Sequence, residues 1–454
     1  YFDPKHEDKK WFPFQLGFFL LSAKSTALED DDMRDIVDLV WFPTGGGKTE
    51  AYLFLVAFQI FYRRLSNKED EGVVVLMRYT LRLLTQDQFN RAAALICACE
   101  KLRSESSSLL GDIPITLGLW VGKESSPNNF AEAHKISEKL LKEDQPINPF
   151  TITNCPWCGT LLIPKEKESN NYYGIMFSHT SFKLFCPSEG CFFHHALPLN
   201  IIDSHLYEKP PTFLVGTIDK FARLAWLEEP GVFLGSKEGT SPPSLIIQDE
   251  LHLISGPLGT IAGVYEAAFD RVIEKWGGKP KYIAATATIK GSKDQCKKLY
   301  NRDVNLFPPS GNEAEHSFFS TPNRDSAGRL YVGIMTQGES PFTATTRISA
   351  AALQSTEEIS SDGSEEANRA YDAYRTLVVF HKSRRELGKT LSLLGDDIPD
   401  RIKFLQKHED KRRELNAEDG IKELSAQVEK GLLANTRESI EITSHENNPN
   451  FIDA

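Results

Sequence analysis

The sequence lacks a membrane span, a cationic surplus and a disulfide framework. No apolar run reaches the roughly 18–20 residues that crossing a bilayer takes. Acidic residues outnumber basic ones, 63 to 52, and the net charge of −11 argues against a protein that coats nucleic acid by bulk charge. A local basic groove is still open to it, because binding depends on where the charges lie. Seven cysteines among 454 residues do not make a disulfide scaffold. Four of them stand in metal-ligand spacing, which implies a reducing, cytoplasmic setting. The chain begins at Tyr1 with neither an initiator methionine nor a signal-peptide layout, so an excerpt of a longer protein is expected. Apart from these absences the composition is that of an ordinary soluble protein, and the length suggests two or three domains.

The most informative stretch is W-F-P-T-G-G-G-K-T-E, residues 41–50. A short β-branched run, Ile36 to Val40, precedes it, and a long apolar helix candidate from Ala51 follows. Strand, glycine turn, helix is the context in which G-K-T binds phosphate. Thr44, Gly45, Gly46 and Gly47 would bring backbone N–H groups onto a polyphosphate at a helix N-terminus. Lys48 would neutralise β/γ-phosphate charge, and the Thr49 hydroxyl would sit on Mg²⁺. Phe42 stands where the general pattern has its first glycine. Gln15, a polar residue in the aromatic segment 11–23, either reads the adenine of a bound nucleotide or is a partly exposed helix glutamine.

The partner of the glycine loop is Leu245-Ile-Ile-Gln248, a buried strand running into Asp249-Glu250-Leu251-His252. Two acids ending a buried strand cost free energy without a cation. Asp249 would hold Mg²⁺ and Glu250 would activate water. Other strand candidates also end in polar groups. Val73 to Met77 leads into Arg78, Thr80, Arg82 and Gln86. Thr212 to Val215 leads into Thr217 and Lys220. Lys281 to Ala285 leads into Thr286 and Thr288, whose hydroxyls could bond His252. Strand C-termini are where open α/β sheets bind ligands, so the first two groups read as phosphate-backbone contacts. Solvated helix starts are the alternative.

A different module interrupts this pattern. Cys155-Pro-Trp-Cys158 and Cys186-Pro-Ser-Glu-Gly-Cys191 have zinc-ribbon spacing, and four thiolates would close the sphere of a structural Zn²⁺. Cys97, Cys99 and Cys296 show no such pattern and read as core thiols. The expected organisation is an N-terminal segment (1–30), a first α/β lobe (31–300) with a zinc insertion (150–200), a linker (301–328) and a second, partial lobe (329–454). The second lobe's strand candidates are 330–335, 376–380 and 440–443. His381 and Lys382 follow the middle one and would touch a phosphate.

Taken in order, P-T-G-G-G-K-T (43–49), R-Y-T-L-R-L-L-T-Q-D-Q (78–88), G-T-I-D-K-F (216–221), D-E-L-H (249–252), T-A-T (286–288) and V-V-F-H-K-S (378–383) resemble motifs I, Ia, Ib, II, III and IV of superfamily 2 helicases of the DExH type. The wording F-P-T-G-G-G-K-T-E-A-Y and D-E-L-H-L-I-S-G-P-L-G-T, with the four-cysteine insertion, is further similar to the helicase family of the bacterial DISARM anti-phage systems. The resemblance implies two RecA-like lobes, Mg-ATP as cofactor, DNA with a single-stranded portion as ligand and the companion protein DrmB as partner. It assigns Lys48, Asp249, Glu250 and His252 to catalysis and Thr286 and Thr288 to coupling. Motifs V and VI of the family are not found in this sequence. A nucleotide-gated scaffold and an RNA helicase are the competing readings.

Overall fold

The computed structural model describes residues 10–440 except 43–45, 81, 123–125, 170–171, 289, 310, 314–315, 322, 324, 326–327, 361–363, 417–419, 426–427, 429–435 and 437–439, and except the side chains of 82–87 and 360. It divides into two compact units, Tyr1–Arg324 and Asp325–Ala454.

The first unit is built on parallel strands: β1 (Val37–Trp41), β2 (Val75–Tyr79), β3 (Leu117–Trp120), β6 (Leu199–Asn200), β7 (Phe213–Thr217), β8 (Leu245–Gln248), β9 (Lys281–Thr286) and β10 (Val304–Phe307). They form one eight-stranded sheet in the order β10-β1-β9-β8-β2-β7-β3-β6. Its strands read as continuous apolar runs because helices cover both faces. Val40, Met77 and Ile247 face one side, with α1 (Pro13–Ala27), α2 (Lys48–Ser66), α3 (Arg82–Glu105) and α5 (Phe130–Leu140). Leu39, Leu76 and Ile246 face the other, with α6 (Asp203–Glu208), α8 (Gly256–Lys275) and α9 (Ser292–Tyr300). The shorter helices α4 (Ser107–Leu110) and α7 (Ile218–Phe221) complete this unit. The α/β class expected from the sequence is present. The order sets β9 between β1 and β8, so the glycine loop and the acidic strand end lie two strand spacings apart, about 10 Å.

Two boundaries differ from the sequence reading. Residues 304–307, placed in a linker, form the edge strand β10 beside β1. The antiparallel hairpin β4 (Ile175–Phe177) and β5 (Phe182–Leu184) lies between the two cysteine pairs, and the chain then rejoins the sheet as β6 beside β3. Both edge strands are short and interrupted by asparagine, so neither carries the apolar run that marks an inner strand.

The second unit holds α10 (Pro341–Ser360), α11 (Glu365–Tyr374), α12 (Arg384–Gly395) and α13 (Asp397–Leu405) around Ala350, Leu353, Leu394, Ile398 and Ile402. The N-caps Ser364 and Ser383 accept from the N–H groups of Ala367 and Glu386. Residues 330–335 and 376–380, expected as strands, form no strand among the described residues. An apolar segment becomes a strand only where a neighbour takes its backbone hydrogen bonds. Of the third expected strand, 441–443 lie outside the described residues. No helix among the described residues is long and apolar enough to cross a membrane.

One internal ion pair fastens the sheet to α8. Arg78, at the end of β2, is buried against Glu266 of α8. Glu266→Ala should lower unfolding stability by about 3–5 kcal/mol, because it leaves a buried guanidinium without a counter-charge. The double variant Arg78→Met/Glu266→Leu should recover most of that loss. Urea unfolding followed by far-UV circular dichroism checks both.

Candidate functional site

The C-terminal ends of β1, β9 and β8 bring the glycine loop and the D-E-L-H stretch together. Gly47 caps α2 in the left-handed region (φ 87°), and a Cβ there would stand 2.8 Å from Gln15 Nε2. The dihedral favours glycine, and a side chain there would also displace the Gln15 amide. Gln15 is buried, and its amide is spent on structure. Its Oε1 accepts from Phe12 N–H at 2.9 Å, and its Nε2 donates to the Gly47 carbonyl at 2.9 Å. One amide hydrogen is left over. Gly46 adjoins this turn; Thr44 and Gly45 lie outside the described residues.

Lys48 and Thr49 open α2 and are both buried. Lys48 Nζ donates to the Phe42 carbonyl at 2.6 Å. Burial lowers the pKa of its ammonium, against the pull of Glu250 and Asp249. Thr49 and Asp249 share a ligand that the sequence reading missed, the phenol of Tyr52. Tyr52 Oη lies 3.1 Å from Thr49 Oγ1 and 2.8 Å from Asp249 Oδ2. A phenol has one hydrogen, and an ionised carboxylate only accepts. Tyr52 therefore donates to Asp249, and the Thr49 hydroxyl donates to Tyr52. Lone pairs remain on Thr49 Oγ1 and on the Asp249 carboxylate for other work. Burial raises the Asp249 carboxyl above its ordinary value, and the Tyr52 hydrogen bond opposes that. The signal in the sequence was spacing: Tyr52 is three residues from Thr49, on the same helix face.

The chain turns sharply at Glu250, which sits at φ 48° although it is not glycine. Such a conformation costs on the order of 1–3 kcal/mol and collects at functional sites. Here it lets Glu250 N–H donate to Asp249 Oδ1 at 2.8 Å while its carboxylate stands 3.4 Å from His252 Nδ1. Thr286 Oγ1 is also 3.4 Å from His252 Nδ1. Thr288 donates its N–H to Thr286 Oγ1, and its side chain is exposed. Trp41 adds a link from β1 by donating its indole N–H to the Ala287 carbonyl at 3.1 Å. These groups form one connected rim that can take a polyphosphate and a hard cation.

The expected nucleic-acid contacts are placed differently. Arg78 is internal, paired with Glu266. Lys220 is buried too: it pairs with Asp203, donates to the Val121 carbonyl at 3.0 Å and lies over the Trp120 ring. Both correct the sequence reading, because a cation already neutralised inside the lobe is not available to a phosphate. Thr217 is fully buried, and Thr80 is half-buried; neither hydroxyl oxygen has a protein partner among the described residues. The side chains of Arg82 and Gln86 lie outside the described residues. His381 is half-buried and Lys382 exposed in the second unit, just before α12.

The four expected cysteines converge. Their sulfurs lie within 4.8 Å of one another, with Cys155–Cys191 at 3.9 Å and Cys158–Cys186 at 3.4 Å, and none is in a disulfide. Tetrahedral Zn–S bonds of about 2.3 Å place sulfurs about 3.8 Å apart, so the donor set fits zinc. Burial works against the Cys158 thiolate, but the Thr160 hydroxyl and neighbouring thiols outweigh it and bring its pKa to about 7. His194 is not among the groups gathered in this cluster, and its Nδ1 is bonded to the Cys186 carbonyl at 2.9 Å. Cys155, Cys186 and Cys191 belong to the lobe's own core, and Lys101 of α3 lies over the rings of Trp157 and Phe192 at the two knuckles. Cys186→Ser should reduce bound zinc from about one per chain to a small fraction and lower the melting temperature. Inductively coupled plasma mass spectrometry and calorimetry check this.

The sequence matches no family model. It is 39% identical over 457 aligned positions to the DISARM protein DrmA of Bacillus paralicheniformis, covering 89% of this chain and 40% of that protein. Among solved structures it is similar to the DUF1998 helicase MrfA, at 15% identity and a TM-score of 0.41, covering 88% of this chain and 40% of that one. It is also similar to the Mycobacterium smegmatis helicase Lhr bound to ssDNA and AMP-PNP, at 13% identity and a TM-score of 0.45, covering 94% of this chain and 40% of that one. The chain thus spans 40% of the length of these relatives. By its sequence it is a relative of DISARM protein DrmA, with the motifs of a superfamily 2 helicase.

Proposed function

We propose that this chain is the ATP-binding part of a DExH-type DNA helicase or translocase that acts in anti-phage defence. The observation that carries the reading is the meeting of Lys48 and Thr49 with Asp249 and Glu250 at one sheet edge, with Thr49 and Asp249 on a single phenol. The 39% identity to a DISARM protein supplies the defence setting. DrmB is the partner this setting implies, and the cytoplasm is the compartment that a DNA substrate and reduced thiols suit.

Each residue has a role in this reading. The Gly46–Gly47 turn and the α2 N-terminus cradle the phosphates, and Lys48 offsets their charge. Thr49 and Asp249 would hold Mg²⁺, which when bound neutralises charge on the phosphate oxygens. Glu250 accepts a proton from water as the water oxygen bonds the γ-phosphorus and the bond to the β-phosphate bridge breaks. His252 and Thr286 lie between this centre and the β9 end, placed to report its state. The leftover Gln15 amide hydrogen would meet the base. Residues 329–454 would form part of the second RecA-like lobe, a reading that rests on the order of the motifs. Opening and closing of two lobes on ATP would drive movement along a strand.

Glu250→Gln should reduce ATP turnover by about 10²–10⁴-fold while leaving Mg-nucleotide binding intact. The measurement is steady-state phosphate release, alone and with single-stranded DNA, duplex DNA or RNA. Stimulation by single-stranded DNA that is lost in the variant supports the motor. Turnover absent in the parent chain despite nucleotide binding would favour a nucleotide-gated scaffold, and stimulation by RNA alone would favour an RNA helicase.

A further inference from the structure

The segment after β7 presents something other than the residues its motif suggests. Ile218, Lys220, Phe221 and Leu224 point inward and fasten it: Phe221 packs edge-on to Trp120 with ring centroids 4.9 Å apart, and Lys220 is held by Asp203 and the Val121 carbonyl. What the segment shows to solvent is Asp219, Arg223 and Trp226. Trp226 is 82% exposed, although it is the largest side chain available for burial. It closes the short turn Ala222–Ala225 by donating its N–H to the Arg223 carbonyl at 2.9 Å, so Arg223 and Trp226 stand one turn apart. Arg223 makes no ion pair among the described residues.

The position of this pair points to a ligand. The segment leaves the C-terminal end of β7, the sheet edge that also carries the glycine loop and Asp249. In register, Tyr79 of β2 stands beside Thr217 of β7. An exposed guanidinium without an ion-pair partner among the described residues and an exposed indole beside it suit an anionic chain that carries flat apolar groups. Glu228 and Glu229, exposed just beyond Trp226, leave the Arg223 side as the approach for a phosphate.

We propose that Trp226 and Arg223 form a subsite for single-stranded nucleic acid, in which one unpaired base stacks on the indole and the adjoining phosphate meets the guanidinium. This rests on the helicase reading and deepens it. Stacking tolerates any base, so the subsite confers affinity for unpaired strands without sequence preference. A base inside a duplex has both faces occupied and cannot use the indole.

The test is fluorescence anisotropy of labelled dT12, U12 and a blunt duplex against the full chain and its variants. Trp226→Ala should weaken dT12 binding by about tenfold or more and leave duplex binding unchanged, whereas Trp226→Phe should stay within about threefold of the parent. Arg223→Ala should weaken binding and reduce the salt slope by about one. Equal losses with dT12 and U12 support stacking on the base alone, and a loss confined to one of them supports stacking with a choice of sugar. Trp226 is exposed, so the melting temperature should not move, and a loss of binding with an unchanged melt is not unfolding. If the parent chain binds dT12 and Trp226→Ala binds it equally well, the subsite is overturned and the helicase reading stands. If Trp226→Ala weakens duplex binding as much as single-strand binding, stacking is overturned. If the parent chain binds no oligonucleotide, the helicase reading falls and takes the subsite with it.

Discussion

A carboxylate that must be kept charged out of water constrains the C-terminal edge of the first unit's sheet. Asp249 ends the central strand β8 almost wholly buried, where an unpaired charge would cost several kcal/mol. It is met by the Tyr52 phenol and by the Glu250 N–H. Each of these has a structural precondition. Tyr52 reaches Asp249 only because α2 starts at Gly47, and Gly47 is held through its carbonyl by Gln15 of α1. The Glu250 N–H reaches back only because that residue accepts a left-handed backbone. A chain of contacts thus runs from α1 through the glycine turn to the end of β8 and joins the glycine and acidic stretches.

Two further buried charges pin this edge. Arg78 lies near the end of β2 and Lys220 just beyond its neighbour β7, and each is neutralised inside the lobe, by Glu266 and Asp203. Buried pairs of this kind add little net stability relative to apolar packing, but breaking one is costly, so they favour a single geometry. The strand ends are pinned from beneath, and the side chains beyond them, Arg223 and Trp226 among them, are carried on fixed backbone. The four-cysteine module adds to this from one side. Its sulfurs share the core of the lobe, and Lys101 spans both knuckles from the helix that begins just after β2.

The inner strands, the glycine-to-helix start, the acidic strand end and the four-cysteine cluster were legible because each depends on local pattern: continuous apolar runs, glycine beside a helix start, paired cysteines. Positions that depend on distant neighbours were not. Arg78 and Lys220 read as exposed cations because nothing near them in sequence reveals Glu266 or Asp203. The edge strands β6 and β10 are too short and polar to announce themselves. Tyr52 was hidden in an apolar helix where its ring reads as core; only the fold shows its hydroxyl aimed at Asp249. Residues 330–335 carry a strand's composition, yet they stand exposed without a ladder partner among the described residues, which shows that composition alone does not make a sheet.

The central claim is that Thr49, Tyr52 and Asp249 act together as a site for a metal-bound nucleotide. Isothermal calorimetry of the chain with a non-hydrolysable ATP analogue, with and without Mg²⁺, in the parent and in Tyr52→Phe, tests it most directly. The account predicts one site whose affinity falls at least about tenfold without Mg²⁺, and a higher Mg²⁺ requirement in Tyr52→Phe, where Thr49 and Asp249 are no longer joined. Binding that ignores Mg²⁺, or a Tyr52→Phe variant with the parent's Mg²⁺ dependence, would contradict it.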